Sequence, residues 1–314
     1  MATKCNIMTD SCCDFSAGEV EEAGIAWIPY TYTETGKEDG LSGFDDLFQS
    51  RTAHEFYSAI KNGACPMTSQ PSQIAYEQAF EQVLATGVPT VHFCLSSGIS
   101  GSYNGAVTAL DRVREKHGGT PPTPIYVVDC LIGSTTQNLF IHRAVQKRDE
   151  GLTAEELVAW AEDARFHVHT IFMVDNLDAL HRGGRIPKSV AVVGGVLDVK
   201  PLLTFRLDGS LAVMGVARGR RKAMRKMRDF YEALHVPGCQ ENAVAIGDAD
   251  CAGDGDSLMG ALLADDADLK VYRSTIGPTI GCHVGPDMLS CCFWGEDRRK
   301  PGFDDSKSKS RGSR

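Results

Sequence analysis

No stretch of the chain reaches the roughly 18 uncharged apolar residues of a membrane-spanning helix, and the opening Met-Ala-Thr-Lys-Cys-Asn runs into a strand pattern without the apolar segment of a secretory signal. A soluble, cytoplasmic protein is expected, with at most transient contact with a membrane surface. Positive charge is in deficit: 32 Lys and Arg stand against 41 Asp and Glu, a net charge of −9. That balance excludes a general nucleic-acid binder, which needs a dominant basic face. The eleven cysteines never stand at Cys-x-x-Cys spacing, and their number is odd. Reduced thiols are therefore expected rather than a disulfide framework or a zinc site. The adjacent pairs Cys12-Cys13 and Cys291-Cys292 lie among apolar or small residues and read as small hydrophobes. There is no internal repeat, and no phosphate-binding loop ends in Gly-Lys-Ser/Thr.

With 42% hydrophobic and 23% charged residues, the 314-residue chain has the composition of a globular protein. Its length exceeds the size at which one core tends to divide, about 250–300 residues. Short apolar runs at Ile7-Met8, Ile25–Tyr30, Thr90–Leu95 and Ile125–Val128 alternate with helical patterns at Ala53–Lys61, Gln73–Ala85, Gly101–Lys116 and Thr135–Lys147. This order predicts an α/β domain with a parallel sheet covered on both faces, and a ligand at the carboxyl ends of its strands. Thr153-x-x-Glu156 is a capping box for a helix to Ala164, and the domain boundary is expected near residue 165.

Beyond it, strands are expected at His169–Val174, Val190–Val193, Pro201–Arg206 and Leu211–Val216, with Leu207-Asp208-Gly209-Ser210 as a hairpin turn. A basic amphipathic helix over Arg220–Leu234, a strand at Ala243–Ile246, a helix at Asp256–Leu263 and a strand at Leu269–Arg273 complete an α+β domain over 166–295. The Lys-, Ser-, Arg- and Gly-rich segment 296–314 is expected to be a disordered basic tail.

Several polar segments stand where chemistry is possible. Thr9-Asp10-Ser11 follows the first strand and serves either to cap a turn or to reach into a cleft. Thr68-Ser69-Gln70-Pro71-Ser72 enters a helix and offers hydroxyls for capping or for an anion. Ser96-Ser97-Gly98-Ile99-Ser100-Gly101-Ser102-Tyr103 lies between a strand and a helix, where backbone N–H groups, the helix dipole and serine hydroxyls suit a carboxylate or phosphate. It is not a hydrolase elbow, because Ser102 stands where Gly-x-Ser-x-Gly requires glycine.

A short helix before Gly183-Gly184 leads to Arg185, whose guanidinium suits a carboxylate or phosphate, although arginine taken alone is more often an ion-pair residue. His283 sits in a glycine-flanked segment read as a turn. Asp248–Asp256 mimics a calcium loop but has Ala252 and Met259 where ligands belong.

Taken in order, these segments resemble the DegV family: Thr9 to Ser11, Thr68 to Ser72, Ser96 to Tyr103, Gly183-Gly184-Arg185-Ile186, Lys200-Pro201-Leu202-Leu203, Arg218 to Ala223, and His283-Val284-Gly285-Pro286. The resemblance spans about residues 5–295. It implies a two-domain fold with a lipid tunnel between the domains and a long-chain fatty acid as ligand, with no metal or other cofactor. It also implies a carboxylate held by Thr68 and Ser96 or Ser97, and a head-group end supported by Arg185 and His283. Family members of known role present the fatty acid to a separate ATP-dependent kinase subunit, for acyl-phosphate formation and phospholipid synthesis. Arg218, Arg220, Arg221 and Lys222 then become a docking surface, the alternative being a solvated helix face.

Two departures from the family pattern stand out: Asp287 where a glycine is common, and Asp129-Cys130-Leu131-Ile132-Gly133-Ser134 in place of Asp-Ser-Lys-x-Ala-Ser. Two other readings remain: a stand-alone hydrolase or transferase using Ser97 as nucleophile and His283 as base, and a lipid-responsive regulator.

Overall fold

A computed structural model describes residues 4–190 and 198–300. The first part runs β1 (Asn6–Asp10), α1 (Ala17–Ala23), β2 (Ala26–Ile28), β3 (Thr31–Thr33), β4 (Gly43–Phe44), α2 (Ala53–Lys61), β5 (Met67–Ser69), α3 (Gln73–Leu84), β6 (Thr90–Cys94), α4 (Ser102–Lys116), β7 (Ile125–Asp129), α5 (Thr135–Asp149) and α6 (Ala154–Ala164). The second runs β8 (Val168–Met173), α7 (Asp178–Arg182), β9 (Val199–Phe205), β10 (Leu211–Arg218), α8 (Arg220–Leu234), β11 (Ala243–Asp248), α9 (Ala252–Asp265), β12 (Lys270–Thr275), α10 (Pro278–Val284) and β13 (Leu289–Trp294). No helix among the described residues is long and apolar enough to cross a membrane.

The expected parallel sheet forms, in the order β2-β1-β6-β7. One face packs on α3 and α4 through Tyr76, Phe80, Ala106 and Leu110, and the other on α5 through Phe93, Leu139 and Phe140. Strands buried on both faces need near-continuous apolar sequence, and all five residues of β6 are buried. The second sheet is mixed, in the order β10-β9-β8-β13-β11-β12, and contains the predicted antiparallel β9–β10 hairpin. A small sheet, β4-β3-β5, carries Thr68.

α5 joins the two halves. It lies between the sheets, with Phe140 5.7 Å from Phe93 of β6 and 6.2 Å from Trp294 of β13. A helix buried all round exposes no polar face to water, so its polar side chains need protein partners. Thr136 Oγ1 lies 2.7 Å from Thr170 Oγ1 of β8, and Ser290 of β13 donates to Thr135 at 2.7 Å. On the other side Gln137 donates to Thr9 at 3.1 Å, and Asn138 donates to the Asp14 carbonyl at 3.2 Å. One apolar cluster consequently runs through both sheets.

The structure corrects several sequence expectations. His283 is not in a turn but in α10, which begins with Pro278 at its first position. β13 was not anticipated, yet it is central in its sheet. Cys291 and Cys292 on this strand, like Cys12 and Cys13, are fully buried, as small hydrophobes should be. Residues 296–300 are not tail: Arg298 is 2% exposed, its backbone N–H donates to Phe166 at 2.9 Å, and its guanidinium reaches the carbonyl of Phe205. Residues 301–314 and most of the Val190–Val193 segment lie outside the described residues.

Phe140→Ala removes a ring shared by both sheets and should cost about 3–5 kcal/mol in urea unfolding. A loss below about 1 kcal/mol would show that α5 is not the common core.

Candidate functional site

The carboxyl ends of the parallel strands face the mixed sheet across an apolar cavity. Its walls are largely apolar, with Leu95, Ile99, Phe172, Phe205, Leu211 and Ile280 among them. At one end stand Thr68, Arg185 and His283, drawn from three distant parts of the sequence, with Tyr30 and Ser100 beside them.

Thr68 reaches this end because strand alternation turns it inward while its neighbours Met67 and Ser69 face solvent. Its Oγ1 lies 2.7 Å from His283 Nε2. Burial and the nearby Arg185 and Arg182 push the His283 pKa down to about 3, so the ring is neutral. Its Nδ1 is buried without a hydrogen-bond partner and lies against Gly183, where a Cβ would overlap it. Gly184 adopts φ 71°, a left-handed conformation that favours glycine. The double glycine thus makes room for the imidazole and turns the chain so that Arg185 enters the cavity.

Arg185 donates from Nε to the Ile99 carbonyl at 2.9 Å and from Nη1 to the Gly183 carbonyl at 2.5 Å. No carboxylate among the described residues pairs with it. Burial lowers its pKa, but guanidinium keeps its proton. Its positive charge faces the cavity with its five donors only partly used. Tyr30, whose pKa burial raises well above its ordinary value, lies 3.1 Å from Ser100 Oγ and stays protonated.

Ser96 and Ser97 do not line the cavity. Ser96 Oγ donates to the Gly209 carbonyl at 2.8 Å and accepts from Gly98 N–H at 3.1 Å, fastening its loop to the β9–β10 turn. Ser97 is exposed, and its N–H goes to Asp129 at 3.1 Å. The N–H groups of Ile99 and Ser100 are taken by the Ser96 carbonyl, and that of Ser102 by Ser100 Oγ. The donors expected to cradle an anion before α4 are largely used within the loop. Ser100 is the serine that faces the cavity. The sequence motif contained it, but only the fold of the loop distinguishes it from its neighbours. Ser97 and His283 form no nucleophile–base pair, since His283 commits Nε2 to Thr68.

Thr9-Asp10-Ser11 is structural. Asp10 accepts from Cys12 N–H at 3.0 Å and Leu95 N–H at 2.8 Å, and Ser11 accepts from Tyr30 N–H at 3.1 Å. Two other buried carboxyls were missed. Asp14 accepts from Gly277 N–H and Asp45 from Thr279 N–H, each at 2.9 Å. They fix the start of α10, and so the position of His283. Desolvation raises the pKa of Asp10 and Asp14 to about 7 and that of Asp45 to about 6.

Asp287 turns outward to Lys61 at 3.2 Å and does not line the cavity. In the altered 129–134 loop, Leu131 and Ser134 take positive φ, and Ser134 Oγ donates to Asp14 at 2.5 Å. In the calcium-like segment, Arg220 holds Asp254 and Arg273 holds both Asp248 and Asp256. Arg220 is thereby committed to an internal network rather than to a free surface. Arg218, Arg221 and Lys222 are exposed.

A two-sheet α/β scaffold enclosing an apolar cavity with one cationic end defines the class of protein. The family model for uncharacterised proteins of the DegV family matches residues 4–296, and the chain belongs to that family. It is 30% identical over 292 residues to a DegV domain-containing protein of Caldanaerobacter subterraneus, covering 92% of this chain and 98% of that one. Its fold is similar to that of a DegV lipid-binding protein from Thermotoga maritima, with TM-score 0.78, 27% identity, and coverage of 94% of this chain and 100% of that one. A stearic acid-binding protein from Eubacterium ventriosum aligns with TM-score 0.78 and 26% identity, covering 91% and 97% of the two chains. The fatty acid kinase B3 protein of Streptococcus pneumoniae, at 19% identity and TM-score 0.78, covers 93% of this chain and 100% of that one and shares the fold.

Gly183→Ala should displace the His283 ring and break its bond to Thr68, visible as a shifted His283 imidazole resonance in a protein that remains folded. An unchanged resonance would refute the packing. Because the folded-state pKa of His283 lies below its ordinary 6.5, the stability of the neutral ring is complete above pH 6.5 and lost as pH falls toward 3. His283→Asn should therefore lose less stability than the parent between pH 7 and pH 4.5. The buried carboxyls, raised in pKa and acting in the opposite sense, are common to both proteins and cancel in that comparison.

Proposed function

We propose that this chain binds one long-chain fatty acid in the cavity and presents its carboxylate to a separate kinase subunit for acyl-phosphate formation. The observation that carries this reading is Arg185, a partly buried cation at the end of an apolar cavity with only backbone carbonyls as partners. A buried charge without a counter-ion is costly, and a ligand carboxylate supplies one. Thr68, Ser100 and Tyr30 add hydroxyls, and the neutral His283 orients that of Thr68 through Nε2. The acyl chain lies along the apolar walls, where each buried CH₂ contributes about 0.8 kcal/mol. The proteins of known ligand that share this fold support the choice of a fatty acid.

Presentation to a kinase rests on the family resemblance and on exposed cations. Arg218, Arg221 and Lys222 are the docking candidates in this reading, and Arg220 serves to hold their helix in place.

The test is mass spectrometry of an organic extract of the purified protein, with titration of added fatty acid. Near-stoichiometric fatty acid is expected. Arg185→Gln should weaken binding about 10- to 150-fold, matching the roughly 1.5–3 kcal/mol of a charge-assisted hydrogen bond. An empty extract with no uptake of added fatty acid would overturn the reading.

A further inference from the structure

Resting on fatty-acid binding, we infer that Cys292, with Thr136 and Thr170, forms the floor on which the methyl end of the acyl chain stops, and that it sets the longest chain the protein accepts. The argument begins with strand register. β13 pairs antiparallel with β8, setting Ser290 opposite Phe172, Cys292 opposite Thr170 and Trp294 opposite Val168. Alternate residues of a strand share one face. Met288, Ser290 and Cys292 accordingly line the cavity, and Phe172 and Thr170 line it beside them.

Trp294 and Val168, the next pair on that face, do not line it, and both are fully buried. The Trp294 ring lies 6.2 Å from Phe140, which stacks on Trp160 at 5.0 Å. The cavity therefore ends in an aromatic stack belonging to the shared core, which cannot yield to a longer ligand without disturbing both sheets.

The other end is fixed by chain connectivity. Met288 follows α10, which carries His283, so β13 leads from the head-group end to the floor. Its span from Met288 to Cys292 is roughly 13 Å at about 3.3 Å per residue. At the floor Thr136 Oγ1 lies 2.7 Å from Thr170 Oγ1 and 3.2 Å from Cys292 Sγ. Two of the three polar hydrogens of this trio are used between its own atoms. Burial raises the Cys292 thiol pKa to about 12, so it stays neutral. The floor is uncharged and its hydroxyls and thiol are largely turned to one another, which suits the unfunctionalised end of an unbranched chain.

The experiment is a titration of straight-chain saturated fatty acids of about 10 to 20 carbons against the parent, Cys292→Leu and Cys292→Ala. Affinity should rise about fourfold per added CH₂, as roughly 0.8 kcal/mol per CH₂ implies, until the chain reaches the floor, and then fall. Cys292→Leu should move that maximum about two carbons shorter, Cys292→Ala should move it longer, and the shortest acid should bind all three proteins within about twofold. If leucine at this buried position prevents folding, the alanine variant decides alone. An unmoved maximum, or an equal loss at every length, overturns the floor while leaving fatty-acid binding intact. Failure of the parent to bind any acid of the series overturns both.

Discussion

The structure depends on burying one helix between two sheets. α5 has no solvent face along its first two turns, where Thr135 to Ile141 are all buried. Each polar residue there must find a partner in one sheet or the other, and the partners it finds tie β1, β8 and β13 to a common element. The start of the same helix also forms one wall of the cavity through Ser134, Thr135 and Thr136. The cavity is thus a by-product of how the two halves are joined, and its shape follows from hydrogen bonds made for packing.

The cationic end of the cavity follows from a second constraint, the placement of a short helix by buried acid groups. α10 is only seven residues long, too short to hold its own position by propensity. Asp14 and Asp45, from the first part of the chain, accept hydrogen bonds from its first N–H groups. The cation that lines the cavity there, Arg185, then meets a neutral imidazole and uncharged hydroxyls, and no carboxylate among the described residues pairs with it. The chemistry of that end is a positive charge surrounded by neutral donors, set in an otherwise apolar space.

Much of this was legible in the sequence. Alternating apolar runs and helical patterns predict the parallel sheet, and Thr153-x-x-Glu156 forms its capping box with both hydrogen bonds present. Thr68, Arg185 and His283 stand in motifs that single them out, and the fold brings all three together. What was not legible depends on long-range geometry. Three serines stand within five residues at 96–100, and local sequence does not say that the first two fasten a loop while Ser100 faces the cavity. Arg220 reads as one cation in a basic run, and only the folded chain brings Asp254 within 2.6 Å of it. β13 reads as a cysteine-rich apolar segment without period, since a strand buried on both faces shows no alternation.

The position of β13 bears on how the molecule is made. Among the described residues it is the last strand in sequence, yet it sits between β8 and β11 in the middle of its sheet. As a ribosome extends the chain, β8 and β11 emerge long before the strand that separates them, and each presents an unpaired edge in the interval. The floor, the aromatic stack behind it and the central hydrogen bonds of the sheet all arrive in one late step. A nascent chain lacking these residues has no closed cavity to fill and two adhesive edges to protect, so truncation just before Leu289 would remove far more than its length suggests.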